Sequence, residues 1–235
     1  MTDIPLHYRS ATELGALLLA GKLSSVELTT HYLDRLDTRG RELNALAELT
    51  RALALEQARQ ADKELAAGET RGPLHGVPYG AKDLLATANI PTRWGSPAHK
   101  DQVFDYDATV ITRLCEAGAV LIGKLAMVEL AGGGGYSSAA ASLHGPGLCP
   151  WNPERWAGGS SSGSGSAVGA GAVGFAIGSE TWGSITVPAA FCGVCGLRPT
   201  YGRVSRHGAM ALSWTMDKLG PMARSAEDCG HILQA

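Results

Sequence analysis

The sequence predicts an α/β layered fold with a largely buried sheet. Two observations carry this. Segments with helical apolar periodicity alternate with short, continuous apolar runs, and those runs have the length and content of strands buried on both faces. The chain is also large enough to bury a sizeable core, since 235 residues is room for one large domain or two small ones. Residues 1–70 read as a helical region and residues 71–235 as the core, together one domain.

The elements follow in order. Ser10 with Glu13 and Ser24 with Glu27 are capping-box patterns, each opening a periodic apolar run. Leu14, Leu17 and Leu18 form the first face; Leu28, Tyr32, Leu33 and Leu36 form the second, which ends near Gly40. A third helix uses Ala54, Ala58, Ala61 and Leu65 and stops at Gly68. The period then changes. Val77 to Ala81 reads as short and extended, residues 107–117 are helical through Val110, Leu114 and Ala117, and Gly118 ends that helix. Ala119-Val120-Leu121-Ile122 is a buried strand. Helix followed by strand recurs as residues 167–172 and 173–177. No internal repeat is visible.

Composition excludes several classes. Twenty basic against 22 acidic residues give a net charge of −2, which leaves no electrostatic footprint for nucleic acid or an acidic membrane face. Residues 1–21 carry Asp3 and Glu13 and only a short apolar run, so they read as neither a signal peptide nor a spanning helix. Five cysteines without a framework spacing read as reduced thiols, placing the chain in the cytoplasm.

Several motifs imitate sites. Gly118 to Lys124 nearly spells a phosphate-binding loop, but Leu125 stands where a Ser or Thr would hold magnesium, and the middle residues are strand formers. Cys192-Gly193-Val194-Cys195 has no second pair for zinc and reads as two small buried cysteines. The seven histidines form no HxxxH or HxH spacing, and no metal site is implied. The Trp and Phe residues read as core. Gly159-Ser160-Ser161-Ser162-Gly163 fits a nucleophile elbow around Ser161, with Asp217 and His231 in the chain order of a triad, although no buried strand precedes it.

The feature that stands out is glycine. There are 31, about 13% against the usual ~7%. About half fall between Gly132 and Gly183, and from Ala131 to Ser179 the only charged residues are Glu154 and Arg155. A flexible linker does not run directly into an apolar segment such as residues 167–177, so residues 158–166 are expected to form an ordered turn with available backbone amides. Ser179-Glu180-Thr181-Trp182-Gly183-Ser184 supplies a second small-residue turn that can meet the first. A serine there needs a base. Lys82, between Val77 to Ala81 and Leu84-Leu85, is suited to neutralisation by burial, which must lower its pKa by about three units; a solvated surface lysine is the other reading.

Together these segments resemble a known family. Gly76-Val77-Pro78-Tyr79-Gly80-Ala81-Lys82-Asp83, then Gly158-Gly159-Ser160-Ser161, then Gly183-Ser184-Ile185 and Pro188-Ala189-Ala190-Phe191-Cys192-Gly193 resemble the amidase signature family in three ordered blocks. The run Gly196-Leu197-Arg198-Pro199-Thr200-Tyr201-Gly202-Arg203-Val204-Ser205-Arg206 is especially similar to the A subunits of glutamyl-tRNA(Gln) amidotransferases. The resemblance implies a central mixed β-sheet covered by helices on both faces, here truncated at the C-terminus. It also implies a Ser–cis-Ser–Lys amide hydrolase without metal or cofactor. By motif position Ser184 is the nucleophile, Ser160 the bridging serine on a cis peptide and Lys82 the base. Backbone amides of Thr181, Trp182, Gly183 and Ser184 would form the oxyanion hole, with Gly159, Ser161 and Trp182 against substrate.

Three departures matter. Trp182 replaces a glycine of the oxyanion turn, and its indole is expected in the substrate pocket. Thr186 replaces an arginine that could pair with the upstream acid, Glu180 here. Family members also run to roughly twice this length. The expected function is therefore a stand-alone amidase acting on a small-molecule amide. The alternatives are the glutaminase subunit of a glutamyl-tRNA(Gln) or aspartyl-tRNA(Asn) amidotransferase, or a non-catalytic interaction remnant. The partners to expect are a second copy in a homodimer, or other amidotransferase subunits, and not nucleic acid directly or a membrane.

Overall fold

The computed structural model describes residues 4–132, 138 and 140–235, so part of the glycine-rich stretch lies outside the described residues. Helices α1 (Ala11–Leu19) and α2 (Ser25–Arg35) each open on a complete capping box. The Ser10 hydroxyl accepts the Glu13 N–H while the Glu13 carboxylate accepts the Ser10 N–H, and Ser24 with Glu27 repeats the arrangement. Leu14, Leu18, Leu28, Tyr32, Leu33 and Leu36 are all buried, as the apolar period requires. Residues Leu36–Gly40 continue α2 as a π-helical turn. Helix α3 (Arg51–Ala66) buries Ala54, Ala58 and Ala61 and gives way to Gly68 at φ +79°.

The first 70 residues are not wholly helical. Leu46–Leu49 is strand β1, and it pairs antiparallel with β3 (Val120–Leu125). Four residues are too few for a period to declare itself, so pairing with a neighbour decides the conformation.

The remaining strands are β2 (Pro78–Lys82), a separate hairpin of β4 (Leu148–Cys149) and β5 (Asn152–Trp156), then β6 (Phe175–Glu180), β7 (Cys195–Gly196) and β8 (Lys218–Ala223). The main sheet is six-stranded and mixed, in the order β1-β3-β2-β6-β8-β7. Strand β2 runs parallel to both β3 and β6, while β8 runs antiparallel to β6 and β7. Helices cover both faces: α2 and α3 pack on β3, as does α4 (Thr109–Glu116), and α7 (Ala226–Gln234) packs on β7 and β8. One apolar cluster extends from Ala11 to Ile232. The segment that imitates a phosphate loop is instead a turn at Gly118 followed by buried strand β3. No helix among the described residues is long and apolar enough to cross a membrane.

The Gly-Ser run departs from expectation. Only its first residues form a turn; from Ser162 it is a helix, α5 (Ser162–Gly169), buried along its whole length and packed on β2, β3, β6 and β8. Glycine and serine are poor helix formers, but here close packing overrides propensity. A Cβ on Gly163 would meet the Ala45 carbonyl oxygen at 2.5 Å and the Ala126 backbone at 2.6 Å, so only glycine lets this helix approach so closely. The Ser164 and Ser166 hydroxyls donate to the carbonyls of Ile177 and Leu148, tying the helix to its neighbours. Part of the glycine excess is thus a packing device.

The aromatic residues also correct the sequence reading. Phe175 is fully buried and stacks on Tyr79. Trp151, Trp182, Trp214 and Phe191, by contrast, are exposed. Apolar type is a one-way guide to burial, because folded surfaces are themselves largely apolar. Cys192 is buried as expected, but Cys195 is only half-buried in β7.

Candidate active site

The site is assembled by the sheet. Strands β2 and β6 lie side by side and parallel, with Tyr79 opposite Phe175 and Ala81 opposite Ile177, so Lys82 and Ser179 emerge together at their C-terminal ends. In layered α/β folds ligand sites form at this edge. The turn before α5 delivers Ser160 and Ser161 to the same place, and the turn after β6 delivers Ser184 just ahead of α6 (Thr186–Cys192). The two turns are joined directly, since the Ser161 N–H donates to the Ser184 carbonyl at 3.2 Å. The Gly159–Ser160 peptide bond is cis.

Lys82 is wholly buried. Its Nζ lies 2.7 Å from Ser160 Oγ and 2.9 Å from Ser179 Oγ. Burial pushes the lysine well below its ordinary pKa, and the carboxylates of Asp217 and Glu180 oppose that shift. Burial thus shifts this lysine toward its neutral form. Ser160 and Ser161 are fully buried, and Ser184 nearly so. Beneath Lys82, Asp83 and Lys124 form a buried ion pair at 3.4 Å, and Lys124 Nζ donates to Thr92 Oγ1 at 2.6 Å. Burial raises the Asp83 carboxyl and lowers the Lys124 ammonium to about 8. This pair fastens the ends of β2 and β3 under the site.

The turn after β6 is organised by Glu180. Its Oε2 accepts the backbone N–H groups of Ile185 (2.9 Å) and Thr186 (2.8 Å) and the Thr186 hydroxyl (3.1 Å). Burial pushes this carboxyl up, but the bonds from Thr186 and Ile185 outweigh it and hold the group below its usual value. Arg198 approaches Oε1 at 3.5 Å. Thr186 therefore satisfies the acid locally, and a cation from 18 residues downstream stands near it.

The remaining candidates are distributed as follows. Ser161 Oγ donates to the Ser179 carbonyl and accepts the Ser179 N–H, bracing the end of β6. It is not assembled with Asp217 and His231: Asp217 is engaged by Thr181, Leu212 and Ser213, and His231 faces Glu227 at 4.0 Å on α7. The nucleophile-elbow reading therefore falls. Gly159 sits against Val128 and Trp156, leaving no room for a Cβ. The Trp182 indole is 85% exposed and stands out from its turn. Sequence reasoning did not single out Ser179 as a partner of Lys82 or Arg198 as a partner of Glu180; the signal for Ser179 was its place beside Glu180 at the end of an otherwise apolar strand, and for Arg198 its place in the run from Gly196 to Arg206. Among the described residues no group of three or more His, Cys, Asp and Glu side chains is gathered as for a metal ion.

Comparison with known proteins adds an independent line. A family model described as Amidase matches residues 27–235. The A subunit of glutamyl-tRNA(Gln) amidotransferase from Moorella thermoacetica is 47% identical over 230 residues, covering 98% of this chain and 47% of that protein. Its counterpart from Methylococcus capsulatus is 48% identical over 229 residues, covering 97% and 46%. Among solved structures, the peptide amidase of Stenotrophomonas maltophilia superposes with a TM-score of 0.89 at 40% identity, covering 98% of this chain and 48% of that one. A fatty acid amide hydrolase superposes with a TM-score of 0.87 at 30% identity, covering 98% and 41%. The chain spans about half the length of the curated relatives it matches.

Proposed function

The chain belongs to the amidase family, and on that premise we propose that it carries the catalytic serines and lysine of an amide hydrolase. The observation that supports this most is the 2.7 Å approach of Lys82 Nζ to Ser160 Oγ in fully buried surroundings. Neutral Lys82 takes the Ser160 proton, Ser160 takes the Ser184 proton, and Ser184 Oγ bonds to the amide carbonyl carbon. Backbone N–H groups of residues 181–184 receive the developing oxyanion, a role in which one lost donor typically costs ~3 kcal/mol of barrier. Collapse breaks the C–N bond while the relay returns a proton to the leaving amine or ammonia. Water then hydrolyses the Ser184 ester by the same route. Gly159 and Ser161 shape the floor of the substrate site, and the exposed Trp182 indole is free to contact substrate from above.

A second reading is supported by the identity to amidotransferase A subunits, 44–48% in the relatives compared. There the amide is glutamine and the ammonia passes to a partner. Release of ammonia or amine from a panel of carboxylic amides, with Ser184→Ala as the control, tests the first reading. Glutamine turnover that appears only with amidotransferase partner subunits favours the second. A folded chain that turns over no amide in either setting leaves the non-catalytic remnant.

A further inference from the structure

Asp217 lies beside the proposed relay and carries none of its protons. It precedes β8 directly and is 8% exposed. Its two oxygens are divided between different parts of the molecule. Oδ1 accepts the Thr181 hydroxyl at 2.5 Å, while Oδ2 accepts the backbone N–H groups of Leu212 (2.7 Å) and Ser213 (3.0 Å). The next residue completes the grip: Lys218 Nζ donates to the Thr181 carbonyl at 3.0 Å. Thr181 is the first residue of the turn that ends in Ser184. The 212–213 segment adjoins the wall of a cavity of about 270 Å³ that includes Ser179, Met210, Trp214 and Asp217 itself. Ser179 is in turn the hydroxyl 2.9 Å from Lys82 Nζ.

We infer that Asp217 is a positioning residue whose carboxylate locks Thr181, and with it the 181–184 turn, to the backbone of residues 212–213 beside the cavity. The inference rests on the proposed hydrolase reading. A turn that must present several backbone N–H groups to one oxygen tolerates little drift, and a misplacement of about 1 Å can cost ~100-fold in rate. Thr181 is held at its hydroxyl and at its carbonyl, leaving its N–H and those that follow in a fixed direction. Asp217 also acts on Lys82, together with Glu180 at the end of β6, by opposing the burial that lowers the lysine. The other charged or titratable groups nearby are Lys218 on the Thr181 carbonyl, Arg198 against Glu180, the Asp83–Lys124 pair at the ends of β2 and β3, and Arg206 and His207 on the cavity wall.

The test is the rate of covalent labelling of the whole chain by a fluorophosphonate, measured against probe concentration and pH. Asp217→Asn and Thr181→Val should lower the limiting labelling rate about 10-fold to 100-fold, with the half-saturating probe concentration little changed. Thr181→Ser, which keeps the hydroxyl that Asp217 accepts, should recover most of the rate lost in Thr181→Val. Combining Thr181→Val with Asp217→Asn should cost little beyond Asp217→Asn alone, because both break one lock. Removing the Asp217 charge should also move the acid limb of the pH profile to lower pH, since less opposes neutral Lys82. Wild-type labelling with Asp217→Asn unchanged in rate and pH midpoint overturns this inference alone. If Asp217→Asn fails to fold, Thr181→Val decides, and its labelling at the wild-type rate overturns the inference equally. No labelling of the folded wild type overturns the hydrolase reading and this inference with it.

Discussion

The Nζ of Lys82 lies 2.7 Å from Ser160 Oγ, and both side chains are completely removed from solvent. They come from positions 78 residues apart and meet because parallel strands β2 and β6 carry Lys82 and Ser179 to one edge, where the turn before α5 adds Ser160. Burial there shifts the lysine toward its neutral form, the form the proposed relay requires of a base.

The buried lysine predicts a pH-dependent stability cost. Its folded pKa is depressed, so the unfolded chain binds this proton more tightly than the folded one. Stability therefore rises with pH up to the unfolded value of ~10.4, above which the cost disappears. Lys82→Met should raise the Tm relative to wild type in the neutral range, and the gap should narrow as pH approaches ~10. Thermal unfolding of both chains across that range checks it; a gap independent of pH contradicts a neutral Lys82.

The two hydroxyls on Lys82 should differ in consequence. Ser160→Ala breaks the proposed relay and should lower kcat by ~100-fold or more. Ser179→Ala removes a hydroxyl that supports the lysine without relaying a proton, and a loss of about 10-fold is expected. Amide turnover by both variants separates the roles, and equal losses would place Ser179 in the relay.

Glu180 should matter far more than Arg198. Glu180→Ala leaves the buried N–H of Ile185 unpaired, at about 1–3 kcal/mol, and also removes the part-buried bonds from Thr186. Thr186→Val removes one hydroxyl bond and should cost ~0.5–1.5 kcal/mol. Arg198 is half exposed and stands 3.5 Å away, so Arg198→Ala should change stability by no more than ~0.5 kcal/mol. Urea unfolding ranks the three, and an Arg198→Ala loss as large as that of Glu180→Ala would reverse the account of this corner.

Two glycines in helices should respond in opposite directions. Gly163→Ala drives a Cβ into the backbone of Ala45 and Ala126 and should destabilise by ~3 kcal/mol or more. Gly230 in α7 is exposed and has nothing within reach of a Cβ, so Gly230→Ala should stabilise by about 0.5–1 kcal/mol. Melting temperatures of the two variants decide this directly.

What the sequence made legible was local. The capping boxes at Ser10 and Ser24, the buried faces of α1 to α3 and the stops at Gly68 and Gly118 each depend on residues a few positions apart. Helix α5 was concealed because its glycines and serines answer to packing from Ala45 and Ala126, remote in sequence, and from Ile177 in the strand that follows. Lys82, Ser160 and Ser184 were named through resemblance; spacing alone left Lys82 ambiguous. Ser179 and Asp217 acquire their partners across 97 and 36 residues, which no local pattern encodes.

The central claim is that Ser184 is a nucleophile activated through Ser160 by neutral Lys82. Mass-spectrometric mapping of the fluorophosphonate adduct tests it most directly. The account predicts an adduct on Ser184 that is absent in Ser184→Ala and forms ~100-fold or more slowly in Lys82→Ala. An adduct on Ser161 or any other residue, or undiminished labelling of Lys82→Ala, would contradict it.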